Sequence, residues 1–296
     1  MQIGEKARAK VNLTLSVLGR RPDGYHELES LVTFADIADR IVLRPGEDLS
    51  VHVTGPFAGA IAGPNLLERT LRLLRDLDAG LQLGSVELEK NLPVAAGLGG
   101  GSADAAALLR AVRRANPAAG NIPWHEIATQ LGADVPVCLA DRPALIWGIG
   151  EEIEPLNGLP GLAAVLVNPC QPLATGPVFR ALQAGPAPAT RQRPPPAGPF
   201  PDMASLLGFM GARGNALERP ATTLLPVIGD VKQALASLPE CRYAALSGSG
   251  PTCFGIFSSS GAAARAAQVL AGRYIEWWIA ATRLAGGAQG DVNSLG

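Results

Sequence analysis

The segment from Leu92 to Pro117, LPVAAGLGGGSADAAALLRAVRRANP, decides the fold prediction. Four of the five residues from Gly97 to Gly101 are glycine, and an alanine- and leucine-rich run follows them. The polar–apolar alternation of residues 84–94 predicts a strand before the glycines. The apolar spacing after the glycines predicts a helix with Ser102 as its N-cap. A strand, a glycine loop and a helix N-terminus in series predict an anion site, because free N–H groups and the positive end of the helix dipole meet there.

Three kinds of phosphate-binding loop are compared with this segment. A Walker A loop needs a lysine after its glycines, and no lysine lies between Asn91 and Arg114. A dinucleotide loop needs GxGxxG after a buried parallel strand, whereas this chain has GxGxG after an alternating strand. The remaining option is a loop over Pro93–Ala103 that holds a nucleoside triphosphate without a Walker lysine. Asp104 is expected in the first helical turn, where a carboxylate suits the positive helix end.

Composition limits the other function classes. The chain has 296 residues, of which 47% are hydrophobic and 17% charged, so we expect a packed globular protein of one large or two ordinary domains. The net charge of −1 without a basic block argues against nucleic acid as a partner. The four cysteines form no CxxC pair, and the three histidines have no zinc-type spacing. We find no secretory signal and no membrane span, so we expect a cytoplasmic protein.

Two further motifs lie far from the glycine loop. The first, AKVNLTLSVLGRRPDGYHELESL, covers residues 9–31, and the second, LSGSGPTCFGIF, covers residues 246–257. Alternation in the first motif predicts a strand that places Lys10 and Asn12 on the same face. A Pro-Asp-Gly turn follows it and precedes Tyr25.

The glycine loop resembles the phosphate loop of the GHMP kinases, which include galactokinase and the homoserine, mevalonate and phosphomevalonate kinases. The other two motifs resemble the branch that phosphorylates a cytidine-diphosphate-linked methylerythritol in the non-mevalonate route to isoprenoids. The resemblance implies an α+β fold with a ribosomal-protein-S5-like N-terminal domain over residues 1–155. It implies a ferredoxin-like α/β sandwich over residues 156–296, with the active site in the cleft between the two domains.

The same resemblance implies roles for individual residues. Asp134 is the base that takes the proton of the substrate hydroxyl, and Lys10 is its electrostatic partner. Tyr25 and Phe179 stack on the cytosine ring, and His26 hydrogen-bonds its edge. Without the resemblance, Asp134 reads equally as a turn or helix-cap residue, Lys10 as a solvated surface lysine and Phe179 as a core residue.

The remaining site assignments rest on the same resemblance. Asn12 and Thr175 line the substrate pocket, ATP is the co-substrate, and Mg²⁺ is expected without any assigned protein ligand. A second glycine turn packs near the phosphate loop and consists of Ser247, Gly248, Ser249 and Gly250. The phosphate loop itself consists of Pro93, Val94, Ala95, Ala96, Gly97, Leu98, Gly99, Gly100, Gly101, Ser102 and Ala103.

Several alternatives stay open at this point. The rival functions are another small-molecule kinase of the mevalonate or homoserine type, a nucleotide-binding sensor without catalysis and a dinucleotide oxidoreductase. Residues 182–202 contain seven prolines and predict a loop, and residues 285–296 predict a frayed tail. We expect a monomer or a weak homodimer that acts on a small molecule.

Overall fold

A computed structural model of the chain describes residues 2–61, 63–120, 122–190 and 193–285. The strands are β1 (Ile3–Asn12), β2 (Ser16–Arg20), β3 (His26–Pro45), β4 (Val51–Thr54), β5 (Gly84–Glu89), β6 (Ala144–Gly148), β7 (Glu152–Pro155), β8 (Leu162–Asn168), β9 (Cys241–Leu246), β10 (Cys253–Phe257) and β11 (Trp278–Leu284). The helices are α1 (Leu66–Leu77), α2 (Gly100–Ala115), α3 (Trp124–Leu131), α4 (Val135–Ala140), α5 (Thr175–Leu182), α6 (Met203–Arg213), α7 (Glu218–Leu224), α8 (Val227–Ala236) and α9 (Ser260–Arg273).

The strand β3 organises the molecule. It is 20 residues long and pairs antiparallel with β1, β2, β5 and β6, and through Ala35 with Leu284 of β11. The segment DRIVLRP, residues 39–45, predicts a short strand by itself, and in the structure it is the last part of β3. A long strand forms because every part of it finds a neighbour whose backbone groups it can pair with.

The strand β1 is shorter than its alternation suggests. It ends at Asn12, and the backbone N–H groups of Leu13 and Thr14 both donate to the carbonyl of Leu31. The chain resumes as β2 at Ser16. Lys10 remains within β1, next to a register shift between Arg8 and Lys10 in the pairing with β3.

Helices cover the N-terminal strands. The helix α2 packs on β1 and β3 and also contacts α1, α3 and α4. Its inward face is almost entirely alanine and leucine, from Ala105 to Ala115. Small side chains allow a helix to lie close to a sheet and to other helices at once, which explains how α2 becomes the centre of this layer.

The C-terminal strands form an antiparallel order β11–β8–β10–β9. The helices α8 and α9 pack on these strands. Across the sheet, the fourth of these strands in the chain lies at one edge, followed by the first, the third and the second. This strand order is that of a ferredoxin-like sandwich. The predicted α+β fold is therefore confirmed.

The boundaries of the predicted units stay predictions. The proposed domain boundary near residue 155 lies at the end of β7. Residues 183–190 and 193–202 form neither helix nor strand, apart from one bridge between Pro186 and Arg20. The predicted tail lies outside the described residues beyond Ala285. No helix in the described part of the chain is both long and apolar enough to cross a membrane.

Candidate active site

The phosphate loop connects β5 to α2. Gly99 is the N-cap of α2 and has a left-handed backbone with φ of 62°, and its carbonyl accepts a hydrogen bond from Ala103 N at 2.8 Å. A Cβ atom on Gly99 would lie 3.3 Å from the Cβ of Lys10. The predicted N-cap at Ser102 is wrong, because the left-handed glycine starts the helix at Gly100. The free N–H groups of the first turn therefore belong to Gly100, Gly101 and Ser102.

The second glycine turn lies directly against the loop. A Cβ on Gly97 would lie 2.5 Å from the carbonyl oxygen of Ser247, at a φ of 72°. The hydroxyl of Ser247 donates to Gly97 O at 2.9 Å and accepts from Asn12 N at 3.2 Å. One serine hydroxyl therefore joins the phosphate loop to β1, and no side chain fits between the two glycine turns.

Lys10 and Asp134 form an ion pair, with Lys10 Nζ 2.7 Å from Asp134 Oδ1. The side chain of Lys10 is 5% exposed and that of Asp134 is 38% exposed. Asp134 occupies the N-cap position of α4 but makes no capping hydrogen bond with its side chain. The carboxylate points to the lysine instead, which leaves one of its faces open to solvent.

A cavity of about 490 Å³ collects these groups. Its lining includes Lys10, Asn12, Asp134 and the loop residues Gly97–Ser102 with the exception of Leu98. Thr175 also lines it, and its hydroxyl lies 3.0 Å from that of Ser249 in the second glycine turn. The Asn12 amide donates to Ser30 Oγ at 2.7 Å, which fixes the orientation of this side chain.

An aromatic pocket adjoins this cavity. The two spaces share Leu28, Ala133, Ile149, Thr175 and Phe179 as lining residues. The His26 and Phe179 rings lie 4.8 Å apart between centroids with an interplanar angle of 34°. Tyr25 is 58% exposed at the rim. Burial, and then the charge of Arg20, lower the pKa of His26, so its imidazole is neutral at pH 7.

Sequence reasoning missed Asn215. Its side-chain N–H₂ donates to Leu246 O at 3.0 Å and to Gly248 O at 2.8 Å, and its Oδ1 accepts from Leu217 N at 2.9 Å. Asn215 therefore holds the second glycine turn against the start of α7. Its only sequence signal is an asparagine after glycine just before a helix, which predicts a local cap and not a contact 33 residues away.

Sequence reasoning also missed a buried ionic cluster under the loop. Lys90 Nζ donates to Asp104 Oδ2 at 2.7 Å and also to Asp39 Oδ2. The side chains of Lys90, Asp39 and Asp104 are 4%, 0% and 6% exposed. The prediction that Asp104 lies in the first helical turn is wrong, because α2 begins at Gly100 and Asp104 is its fifth residue, with its side chain buried. Burial raises its pKa to about 7, although the charge of Lys90 opposes the increase.

Similarity to known proteins identifies the family of this chain. The model of the GHMP kinase N-terminal domain matches residues 65–148, and that of the GHMP kinase C-terminal domain matches residues 196–276. A 4-diphosphocytidyl-2-C-methyl-D-erythritol kinase of Parvibaculum lavamentivorans is 48% identical over 281 residues, which cover 94% of this chain and 96% of the relative. The chain belongs to the GHMP kinase family and, within it, to this group of kinases. A kinase of the same description from Methylorubrum extorquens is 49% identical over 290 residues, covering 95% and 98%.

Solved structures agree with this membership. A crystal structure of a 4-(cytidine 5'-diphospho)-2C-methyl-D-erythritol kinase matches with a TM-score of 0.75 and 36% identity, covering 96% of this chain and all of that one. Homoserine kinase from Cytophaga hutchinsonii, at 18% identity and a TM-score of 0.64, shares the fold. The prediction of an ATP-dependent kinase is confirmed at the level of the family, and the dinucleotide oxidoreductase is no longer a candidate.

Proposed function

We propose that this GHMP kinase transfers the γ-phosphoryl group of ATP to the 2-hydroxyl of 4-diphosphocytidyl-2-C-methyl-D-erythritol. The product is an intermediate of the non-mevalonate route to isoprenoid precursors. The observation that carries the proposal is the Lys10–Asp134 pair at 2.7 Å, in one cavity with the phosphate loop and next to an aromatic pocket. The names of the relatives support the same substrate.

The triphosphate binds to the phosphate loop in this proposal. The N-terminal end of α2 opens on the cavity that Gly99–Ser102 line. The helix has 16 residues, and its dipole and free N–H groups favour anions at this end. The glycines allow phosphate oxygens to approach the backbone closely. The γ-phosphate then lies beside Lys10, whose stem packs on Gly99.

Asp134 and Lys10 carry out the transfer. Asp134 accepts the proton of the substrate hydroxyl as its oxygen forms the new bond to the γ-phosphorus. The bond from that phosphorus to the β,γ-bridging oxygen breaks, and ADP leaves with the bonding electrons. Lys10 pairs with Asp134 before the reaction and offsets the negative charge of the transferring group.

The cytidine end of the substrate occupies the aromatic pocket. Tyr25 and Phe179 stack on the cytosine ring, which fixes the plane of the base but not its identity. The neutral imidazole of His26 offers one donor and one acceptor to the edge of the base. The shared lining residues make the pocket continuous with the cavity, so one extended ligand reaches from the base site to Asp134.

Magnesium enters this proposal with the nucleotide. No group of three histidine, cysteine or acidic side chains in the described residues could hold a metal ion. The described residues of the site therefore do not fit a cation bound mainly by protein ligands. Mg²⁺ is expected on the phosphate oxygens of ATP with water as its other ligands, which suits its reluctance to lose water.

The test is an assay that couples ADP formation to a panel of alcohols with MgATP. We expect turnover with diphosphocytidyl-methylerythritol and none with mevalonate or homoserine. Turnover of mevalonate or homoserine alone would establish the rival kinase, and ATP binding without any product would establish a sensor. Phe179→Ala should raise KM for the cytidine substrate about tenfold, the value of one lost stacking contact, while KM for ATP stays unchanged. Phe179→Leu is the control that keeps an apolar side chain of similar volume.

A further inference from the structure

The buried cluster of Lys90, Asp39 and Asp104 takes no part in the transfer described above. None of its three residues lines the cavity that contains Lys10 and Asp134. It holds two carboxylates and one ammonium group, and Asp104 Oδ1 has no hydrogen-bond partner in the described part of the chain. Buried ionic groups add little to stability compared with apolar residues of the same size. The cluster therefore calls for a role other than stabilising the core.

The position of the cluster suggests that role. Asp39 Oδ1 accepts hydrogen bonds from Asn91 N at 2.6 Å and from Leu92 N at 2.8 Å, the two residues that lead into the phosphate loop. Asp104 is the fifth residue of α2, one turn past the point where the chain leaves the loop. The ammonium group of Lys90 bonds to both carboxylates. One side chain thus connects the entry of the loop to its exit.

The ammonium group also lies directly behind the glycines. A Cβ atom on Gly100 would lie 3.1 Å from Lys90 Nζ and 4.0 Å from Asp39 Oδ2. Gly100 is the first residue of α2. The position of the Lys90 ammonium group therefore determines the position of the first N–H groups of the helix, which bind the triphosphate in the proposed function. Loops made of glycine have a large conformational freedom to lose, and a fixed support behind the backbone removes part of this cost before the ligand arrives.

We propose that Lys90 is a positioning residue, which joins Asp39 and Asp104 to hold the phosphate loop in the geometry that binds the triphosphate. This inference rests on the proposed function for the identity of the nucleotide, and it concerns the binding of that nucleotide. The Lys90–Asp104 bond determines where the first turn of α2 lies relative to β5. Without it, the loop is free to shift away from the γ-phosphate site.

A matched pair of variants at Asp104 tests the proposal without removing the lysine. Asp104→Asn keeps an oxygen that accepts from Lys90 Nζ, whereas Asp104→Leu removes the bond and keeps a side chain of comparable size. Titration calorimetry with AMP-PNP, a non-hydrolysable ATP analogue, measures nucleotide binding directly. We expect Asp104→Leu to weaken AMP-PNP binding and to lower kcat by about tenfold each, because small displacements of a binding loop are costly in phosphoryl transfer.

Further readouts distinguish positioning from general loss of stability. KM for the alcohol should stay unchanged in Asp104→Leu, and Asp104→Asn should bind AMP-PNP like the wild type. Leu270→Ala, in the buried face of α9, is the control that lowers the melting temperature far from the loop. Wild-type AMP-PNP binding by Asp104→Leu, or an equal loss in Leu270→Ala, would overturn the inference. A wild-type protein that binds AMP-PNP but phosphorylates no alcohol would refute the proposed function alone.

Discussion

Two lysine–aspartate groups lie on either side of the phosphate loop, and they differ mainly in their access to water. Lys10 and Asp134 face the cavity, and 38% of the Asp134 side chain is exposed. Lys90 with Asp39 and Asp104 lies behind the loop, where no side chain of the three is more than 6% exposed. Chemically similar ion pairs are thus placed in a polar cleft and in the protein interior.

The difference in access separates two kinds of work. A carboxylate that exchanges a proton with a substrate must be able to reach that substrate, and Asp134 has one face open to the cavity and one lysine partner. A buried carboxylate meets no substrate, and its ion pair can only fix the elements that it connects. We therefore expect substitutions at the open pair to change the rate with little effect on nucleotide binding, and substitutions at the buried cluster to change nucleotide binding and stability together with the rate.

The largest expected effect tests the open pair. Asp134→Asn keeps the size of the side chain but cannot take the hydroxyl proton, so kcat should fall by about 10² to 10⁴-fold. The binding of AMP-PNP and the melting temperature should change little, since the side chain is partly solvated. Steady-state kinetics and calorimetry on the same preparation measure the three quantities. A variant with the wild-type rate would remove Asp134 from the mechanism.

The sequence predicts the open pair better than the buried cluster for a physical reason. The glycine loop and the strand with Lys10 and Asn12 each have a local pattern, because binding loops need particular backbone shapes. Asp134 has no such pattern, and its role is assigned by resemblance. The resemblance to the GHMP kinases adds the relative placement of these segments, which no local pattern contains.

The misses all depend on partners distant in the chain. The length of β3 depends on the neighbours that pair with it, and Asn215 binds a turn 33 residues away. The local signal at Asp104 predicts the first turn of a helix, whereas Asp104 is the fifth residue of α2, and this signal says nothing about the contact with Lys90. The N-cap at Gly99 was missed because serine is the commoner cap, whereas a left-handed glycine fits where the stem of Lys10 packs closely.

Stability measurements sharpen the comparison in a second way. Lys90→Met leaves two buried carboxylates without their cation, which should lower the free energy of unfolding by about 3–5 kcal/mol. Lys10→Met leaves one carboxylate with access to water, and the free energy of unfolding should change by no more than about 1 kcal/mol. Chemical denaturation of both variants provides the values. Equal losses in the two variants would mean that solvent access does not distinguish the groups.

The last expected effect concerns pH and, of the two lysine–aspartate groups, belongs to the buried cluster. The pKa of Asp104 is raised from 3.8 to about 7 in the folded protein, with Asp39 and Lys90 as the charged groups that face it. The folded state then holds a proton that the unfolded state has released between about pH 4 and pH 7. Stability from this group therefore falls as the pH rises through that window, by at most about 1.4 kcal/mol per pH unit.

Comparison with Asp104→Asn isolates this dependence, because contributions from all other groups cancel in the difference between variant and wild type. Denaturation midpoints at several pH values between 5 and 8 should show the variant gaining on the wild type as the pH rises toward 7. If the stability difference between variant and wild type stays constant across this pH range, Asp104 is ionised throughout and Lys90 compensates for its burial. In that case the two groups would differ in exposure but not in protonation, and only the kinetic half of the comparison would remain.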